Sequence, residues 1–580
     1  MHSRDYANSG VDYGTRSIRI GIMNTQANLQ EWQARCLTNL LTLDKVQIVL
    51  SIIVNENRNS QTSYEKENHL DRVLFRFYSK WFFRASSTRI REMNKAFGDV
   101  PFMRCSAVND APSLSVNDED VHTISTYDLD FILWFGSGTI RGAILNVARY
   151  GVWSFRHSAA GKAVADLPCF WEIYTDECSV GAALERMTDQ DNSKVILKKG
   201  LWGICKYSHV KNIDEILFET AQWPARVCAD ILNGSGNYVT SLPSQVEPPV
   251  THAPSNCQLL RFLMTLLKNR VIKIYNSLFC HDEWNIGISY EPIHAFLTSK
   301  PKIHYLPPPE TGTFVADPFG IVKDNKLTII CEQFSYSSSK GIICSIELAD
   351  GSHSCQPVPV LDVPVHVSYP YLIEYDGEVY CIPETAAARE IALYKAEQFP
   401  QNWMKVATLI DGIAASDATV FHYEGLWWLM CTDREKNAFV NLFAWYAAKL
   451  SGPWKPHAIN PIKTDIHSAR SAGTPFSHEG FLYRPAQDCS RTYGGRIVIN
   501  RVIRLTPTEF SEEQVASIEP DADSPYPDGV HTISTVGNIT LVDGKRVVFV
   551  GSAFKRAIFR GLTKIYQRTV SKRAIYPSQA

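Results

Sequence analysis

Five polar side chains recur near the starts of five similar segments in the C-terminal half of the chain. They are Asp317 in VADPFGIV, Tyr369 in SYPYLIEY, Asp417 in SDATVFHY, Arg470 just before AGTPFSHE and His531 just before STVGNITLV. A second set closes four of the segments: Glu332 in CEQF, Glu384 in IPET, Asp433 in CTDR and Gln487–Asp488 in RPAQD. Carboxylates gathered at one mouth can serve as acid and base on a glycosidic bond, or as acceptors for sugar hydroxyls. Their repulsion raises at least one pKa in the group. Arg470 and Arg484 could neutralise those carboxylates or clamp a phosphate or uronate. One such residue alone reads as a solvated loop group. Recurrence at equivalent positions lifts the set above that reading.

The segments share a plan of strand, hairpin turn and second strand. Their turns are read at Asp324-Asn325, Asp376-Gly377, Glu424-Gly425, Glu479-Gly480 and Asp543-Gly544, spaced 52, 48, 55 and 64 residues apart. Turn chemistry of this kind between strand runs signals hairpins, and a period near 50 signals one propeller blade per repeat. The stretch from about Trp284 to Phe559 is therefore expected to form a five-bladed β-propeller. The inner strands of its blades would aim the first set of residues into one funnel.

The N-terminal part reads differently. IRIGIMN (18–24), VQIVLSIIVN (46–55) and DLDFILWFGSG (128–138) are apolar runs of strand length, as in parallel strands buried on both faces. Helical patterns are expected over Leu29 to Leu43, residues 66 to 96 and residues 139 to 151, before a strand at 152–158. Alternating strands and helices argue for an open α/β sheet. Its ligand edge would lie at Gly136, Gly138 and Ser154 to Ser158. An amphipathic helical pattern over 207–233 and a helix, Leu259 to Tyr275, leading into the propeller, flank a Pro/Ser/Thr/Gly-rich linker at 234–257. The expected map is a disordered tail (1–17), an α/β domain (18–205), a helical connector (206–279), the propeller (280–565) and a C-terminal tail (566–580).

Composition narrows the function classes. With 580 residues, more than one core is needed. A net charge of −2 makes nucleic acid an unexpected partner. No apolar run is long enough to span a membrane, and the N-terminus has no signal-peptide core, so a cytoplasmic location is expected. The 14 cysteines form no CxxC pair and many sit in apolar runs, so a metal site made of cysteines is not expected, and no metal cofactor is.

The stretch DLDFILWFGSGTIRGAILNVARYGVWSFRHS, with DLPCFWEIYTDECSVGAALERMTDQDNSKVILKKG after it, resembles the core of the methionyl-tRNA and sugar N-formyltransferases. That resemblance implies a formyltransferase-like (Rossmann-like) α/β domain and 10-formyltetrahydrofolate as donor. The family's Asn position falls on Ser154, its His position on Arg156 with His157 adjacent, and its Asp position on Asn192 with Asp191 and Asp189 beside it. Arginine can stabilise an oxyanion but stays protonated and cannot act as a base. Two readings stay open: a shifted site using His157 and Asp191, or a fold whose formyl-transfer chemistry has decayed or changed.

ADPF (316–319) resembles the opening of glycoside hydrolase family 43 and its relatives, in which Asp317 would be the general base and Asp417 would stand where an auxiliary Asp does, the acid being a Glu of the fourth blade. The family's fourth-blade Glu is replaced here by Arg470, Arg484, Gln487 and Asp488, leaving Glu384 as a substitute. RPAQDCSRTYGGRIVINRV (484–502), with SARSAGTPF before it and HTIST…DGKR after it, is similar to the N-terminal module of plant glucosamine inositolphosphorylceramide transferases and bacterial relatives. Together these imply a carbohydrate context. The leading expectation is a one-carbon (formyl) transferase acting on an amino sugar or glycolipid precursor held by the propeller. The alternatives are a glycosidase centred on Asp317 and a non-catalytic glycan-binding scaffold.

Overall fold

A computed structural model of the chain describes residues 17–55, 69–82, 84–92, 100–110, 113–136, 138–158, 168–190, 193–245, 254–323, 326–348 and 356–550. The chain divides into two compact units at Lys268 and Asn269.

The first unit is built on a ten-stranded mixed sheet. Five strands at its centre run parallel: Ile18–Asn24, Val46–Asn55, Phe102–Asp110, Phe131–Trp134 and Val152–Arg156. Their spatial order, with the five numbered along the chain, is 3-2-1-4-5, an order of open doubly wound sheets. Apolar side chains on both faces explain the central position of Phe131–Trp134, which is buried at every residue. The helix Glu31–Leu41 buries Trp32, Cys36, Leu37 and Leu40, one face at helical spacing.

Three helical expectations change. Residues 139–151 hold a short strand, Thr139–Arg141, and one 3-10 turn, Ala143–Asn146. Gly142 and Gly151 both take positive φ there, which interrupts any helix. Within 66–96, the described residues give a 3-10 turn, a five-residue helix Val73–Phe77, a π turn and the strand Ile90–Glu92. The pattern over 207–233 splits into His209–Thr220 and Trp223–Leu232, with Pro224 in the first turn of the second. The Pro-rich stretch 234–257 contributes a 3-10 turn, Gly236–Thr240, and two residues, Ser244–Gln245, paired to the sheet edge. The helix Asn256–Phe279 follows. It begins in a capping box: Gln258 N donates to Ser255 Oγ, and Ser255 N donates to Gln258 Oε1 at 2.8 Å.

The second unit is a five-bladed propeller. Blades one to four open with Thr313–Lys323, Ser368–Tyr375, Ala415–Tyr423 and Phe476–His478 as inner strands, and each continues outward in chain order. Blade five is shared between the unit's ends. Ile533–Val536 and Ile539–Phe549 pair with Cys280–Ser289 and His304–Tyr305. The Cys280–Ser289 strand runs antiparallel along Ile539–Phe549 from Cys280↔Phe549 to Ser289↔Thr540, which closes the ring and removes two sheet edges.

The turns Asp376-Gly377, Glu424-Gly425 and Glu479-Gly480 have positive φ at both residues, the geometry that matches strand twist in a two-residue hairpin. Asp324-Asn325 lies outside the described residues. Asp543-Gly544 is not a turn. It lies inside Ile539–Phe549, and the hairpin bends at Gly537-Asn538, between the paired residues Val536 and Ile539. Gly544 is required for packing, since a Cβ there would meet the Tyr305 hydroxyl at 2.5 Å.

Candidate functional site

Three inner strands break register at the same place. Pairing shifts between Ala316 and Phe319, between Ser368 and Tyr371, and between Ser416 and Thr419. Within those bulges Asp317, Tyr369 and Asp417 adopt φ of 52°, 43° and 51°. A non-glycine residue held in the left-handed region costs energy, and bulges with this geometry re-aim side chains next to sites. The closing residues belong to the same rim, because Glu332 pairs with Ala316, Glu384 with Ser368 and Asp433 with Ala415.

Two polar clusters result. In the first, Asp317 accepts from Thr532 Oγ1 at 2.7 Å and from Tyr369 N at 3.2 Å. His531 Nε2 lies 3.8 Å from Asp317, and His531 Nδ1 lies 2.5 Å from Asp543. Asp543 also accepts from the backbone N–H groups of Asp317, His531 and Thr532. In the second cluster, Arg470 meets Asp417 at two points and Gln487 Nε2 donates to the same carboxylate at 2.7 Å. Glu384 accepts from Asp417 N at 3.1 Å and pairs with Arg434, whose Nε reaches Ser416 Oγ. Tyr369 spans from blade two towards its neighbours, taking a hydrogen bond from Gly473 N at 2.8 Å and sharing one with Thr419 Oγ1 at 2.9 Å.

Burial sets the protonation behaviour. Asp317 is pushed up to about 6 by burial, with Asp543 and Asp417 adding to the rise and His531 opposing it. Burial and the Asp417 charge push Glu384 up to about 7 against Arg434 and Arg470. Glu332 is likewise raised well above its ordinary value by burial and by Asp317 and Glu384. Burial alone would lower His531, but Asp543 and Asp317 outweigh it and hold the imidazole above its ordinary value.

The aromatic rim was missed in the sequence, because its residues stand in loops outside the repeat. Phe439, in the loop after blade three's second strand, and Tyr493, in the corresponding loop of blade four, are 37% and 38% exposed. The Arg470 guanidinium lies 5.3 Å from the Phe439 ring and 5.2 Å from the Tyr493 ring. Tyr493 meets His531 edge-on at 5.3 Å, and Trp284 stacks on His531 at 3.9 Å. Lys545 holds the Tyr493 loop through the Tyr493 carbonyl.

Two residues expected in the funnel are engaged elsewhere. Arg484 is bound to Glu512, which also pairs with Lys463. Asp488 is bound to His467 and Arg496 and held well below the usual carboxylate range; burial alone would raise it, but the His467 and Ser490 hydrogen bonds prevail. Asp543, read from the letters as a turn, is the buried partner of His531.

Asp317, His531 and Asp543 offer ligand atoms all within 4.8 Å of one another. The donors that already reach both carboxylates give those oxygens hydrogen-bond partners without an ion.

In the first unit, Arg156 Nε donates to Glu185 at 2.8 Å and Arg156 also donates to the Ser158 carbonyl. His157 Nε2 lies 3.0 Å from Thr220 Oγ1, and burial drives its pKa down to about 3. Ser154 sits on the strand Val152–Arg156, paired with Glu185. Asp191 and Asn192 lie outside the described residues. Asp189 accepts from Gly142 N at 3.0 Å. Among the described residues, Ser154, Arg156 and His157 are not joined by hydrogen bonds into one catalytic group.

Residues 307–523 match the family described as glucosamine inositolphosphorylceramide transferase 1, N-terminal. The chain is 36% identical over 232 residues to glucosamine inositolphosphorylceramide transferase 1 of Oryza sativa subsp. japonica, covering 38% of this chain and 31% of that protein. It is 33% identical over 264 residues to the Arabidopsis thaliana protein of the same name, covering 43% and 34%. Among solved structures it is similar to a family 117 glycoside hydrolase of the marine bacterium Zobellia galactanivorans, with 14% identity, a TM-score of 0.31, and 46% of this chain and 91% of that chain covered. It is also similar to an alpha-L-arabinofuranosidase of Podospora anserina, with 10% identity, a TM-score of 0.32, and 40% and 82% covered. The chain spans about a third of the length of the curated relatives it matches, and the segment that matches their family, residues 307–523, contains blades one to four of the propeller.

Proposed function

We propose that the propeller binds the sugar portion of a glycan or glycolipid precursor at the Asp317–Asp417 mouth without hydrolysing it. The observation that carries this reading is the Arg470 centre. Its guanidinium neutralises Asp417 on one side and faces two neighbouring exposed aromatic rings, Phe439 and Tyr493, on the other. Exposed rings beside buried carboxylates suit a sugar, which offers an apolar ring face and hydroxyl donors at once. The relatives' name, which speaks of inositolphosphorylceramide and glucosamine, supports an anionic or amino-sugar glycolipid as the ligand class.

Glycoside hydrolysis is the second reading. Asp317 and Glu384 favour it, because two buried carboxyls near pKa 6 and 7 could supply a base and an acid. Formyl transfer has no comparable support, since Arg156 and His157 are committed to Glu185 and Thr220. Isothermal titration with glucosamine, inositol phosphate and nucleotide sugars tests the binding reading. Binding that Tyr493→Ala and Asp317→Asn both weaken is the expected result. Aryl-glycoside turnover that disappears in Asp317→Asn and Glu384→Gln would replace it with hydrolysis.

A further inference from the structure

The helix Asn256–Phe279 contains no acidic residue and four cations, Arg261, Lys268, Arg270 and Lys273. Its buried positions are Leu259, Phe262 and Leu266, all on one side of its first half. A second apolar stripe runs along the other side, through Leu260, Met264, Leu267, Val271 and Ile274, in alternating steps of four and three residues. That spacing keeps all five on one face of an α-helix. The stripe is exposed: Met264 at 64%, Leu267 at 63% and Val271 at 58%. At about 100° per residue, Arg261 and Lys268 flank it on one side and Arg270 on the other.

We infer that this helix docks flat on an anionic lipid bilayer. The argument is charge complementarity joined to the shape of the apolar face. An interfacial helix presents an apolar face edged by Lys and Arg, sinks that face to the acyl boundary and leaves the cations at the headgroups. Among the described residues no helix is long and apolar enough to cross a membrane, so the mode is lying on the surface. The inference stands apart from the sugar-binding reading, because none of these residues belongs to the propeller mouth.

Flotation of the full-length chain with vesicles tests it. One set is phosphatidylcholine alone; the other also contains phosphatidylserine. The chain is expected to float with the mixed vesicles, to release at high salt and to leave neutral vesicles largely unbound. Met264→Glu with Leu267→Glu should lower partitioning by more than about ten-fold. Lys268→Gln and Arg270→Gln should each lower it by about five-fold. Because these positions are exposed, an unchanged melting temperature confirms that the variants are folded. Equal binding to both vesicle types, or none to either, overturns the inference. So does a dimer in sedimentation that Met264→Glu dissociates while vesicles remain unbound, which would assign the face to a second copy of the chain.

Discussion

Arg470 and Asp417 form a two-point ion pair, Nε to Oδ2 at 2.5 Å and the terminal nitrogen to Oδ1 at 3.3 Å, with both side chains almost fully buried. Removing one partner leaves a buried charge without its counter-ion, which costs about 3–5 kcal/mol. Arg470→Met should therefore destabilise the propeller by that amount in urea titration. The double variant Arg470→Met/Asp417→Asn should recover much of the loss, because no bare charge remains. A double variant no more stable than Arg470→Met would mean that packing, not charge, sets the cost.

Tyr369 gives a smaller and cleaner test. Its hydroxyl joins Gly473 N and Thr419 Oγ1 across blade boundaries. Tyr369→Phe keeps the ring and strands the Gly473 N–H, a loss of roughly 1–3 kcal/mol. The backbones pack tightly here, since a Cβ at Gly473 would collide with the Ile533 carbonyl. The loss should appear as a lower melting temperature with unchanged secondary structure.

Glu384 makes stability depend on pH. Its carboxyl is ordinary near 4.5 when unfolded and is pushed up to about 7 in the fold by burial and Asp417. Between those values the folded state binds more proton than the unfolded state. The contribution is therefore present at acidic pH and lost as pH rises through the window. Asp317, at about 6, acts in the same direction. Glu384→Gln should flatten the decline of stability between about pH 5 and pH 8, by on the order of 3 kcal/mol. Thermal melts across that range measure it; parallel curves for the two proteins would contradict the assignment.

The propeller was legible in the sequence because its devices are local. Two-residue turns and short polar-to-apolar openings repeat at nearly constant spacing, and three openings share one bulge. The Asp543-Gly544 turn was misplaced for the same reason: the letters suit a hairpin, and only the Tyr305 hydroxyl, far away in sequence, shows why glycine is needed there. Arg484 was legible as a cation but not as the partner of Glu512, a contact set by how the outer strands lie. In the first unit four of the five central parallel strands were readable from the sequence, while Phe102–Asp110 was not, because FMRCSAVND interleaves polar and apolar residues and shows no apolar run. The 139–151 segment was not, since its apolar spacing fits a helix while Gly142 and Gly151 impose turns. Phe439 and Tyr493 carry no pattern, and only the ring of blades brings them to Arg470.

Asp543 joins the last blade to the first. Its carboxylate accepts from the backbone N–H groups of Asp317, His531 and Thr532, and it holds His531 Nδ1 at 2.5 Å. Asp543→Asn keeps the size but turns an amide N–H₂ towards donors, so at least one N–H loses its acceptor, at about 1–3 kcal/mol. The His531 imidazole reports the same change independently. Burial pulls its pKa down and Asp543 is the first influence holding it up, so the variant should titrate at lower pH than the wild type. Nuclear magnetic resonance of the imidazole protons reads the shift directly. A His531 titration unmoved by Asp543→Asn would show that Asp317, 3.8 Å from the other ring nitrogen, is sufficient to keep the proton in place.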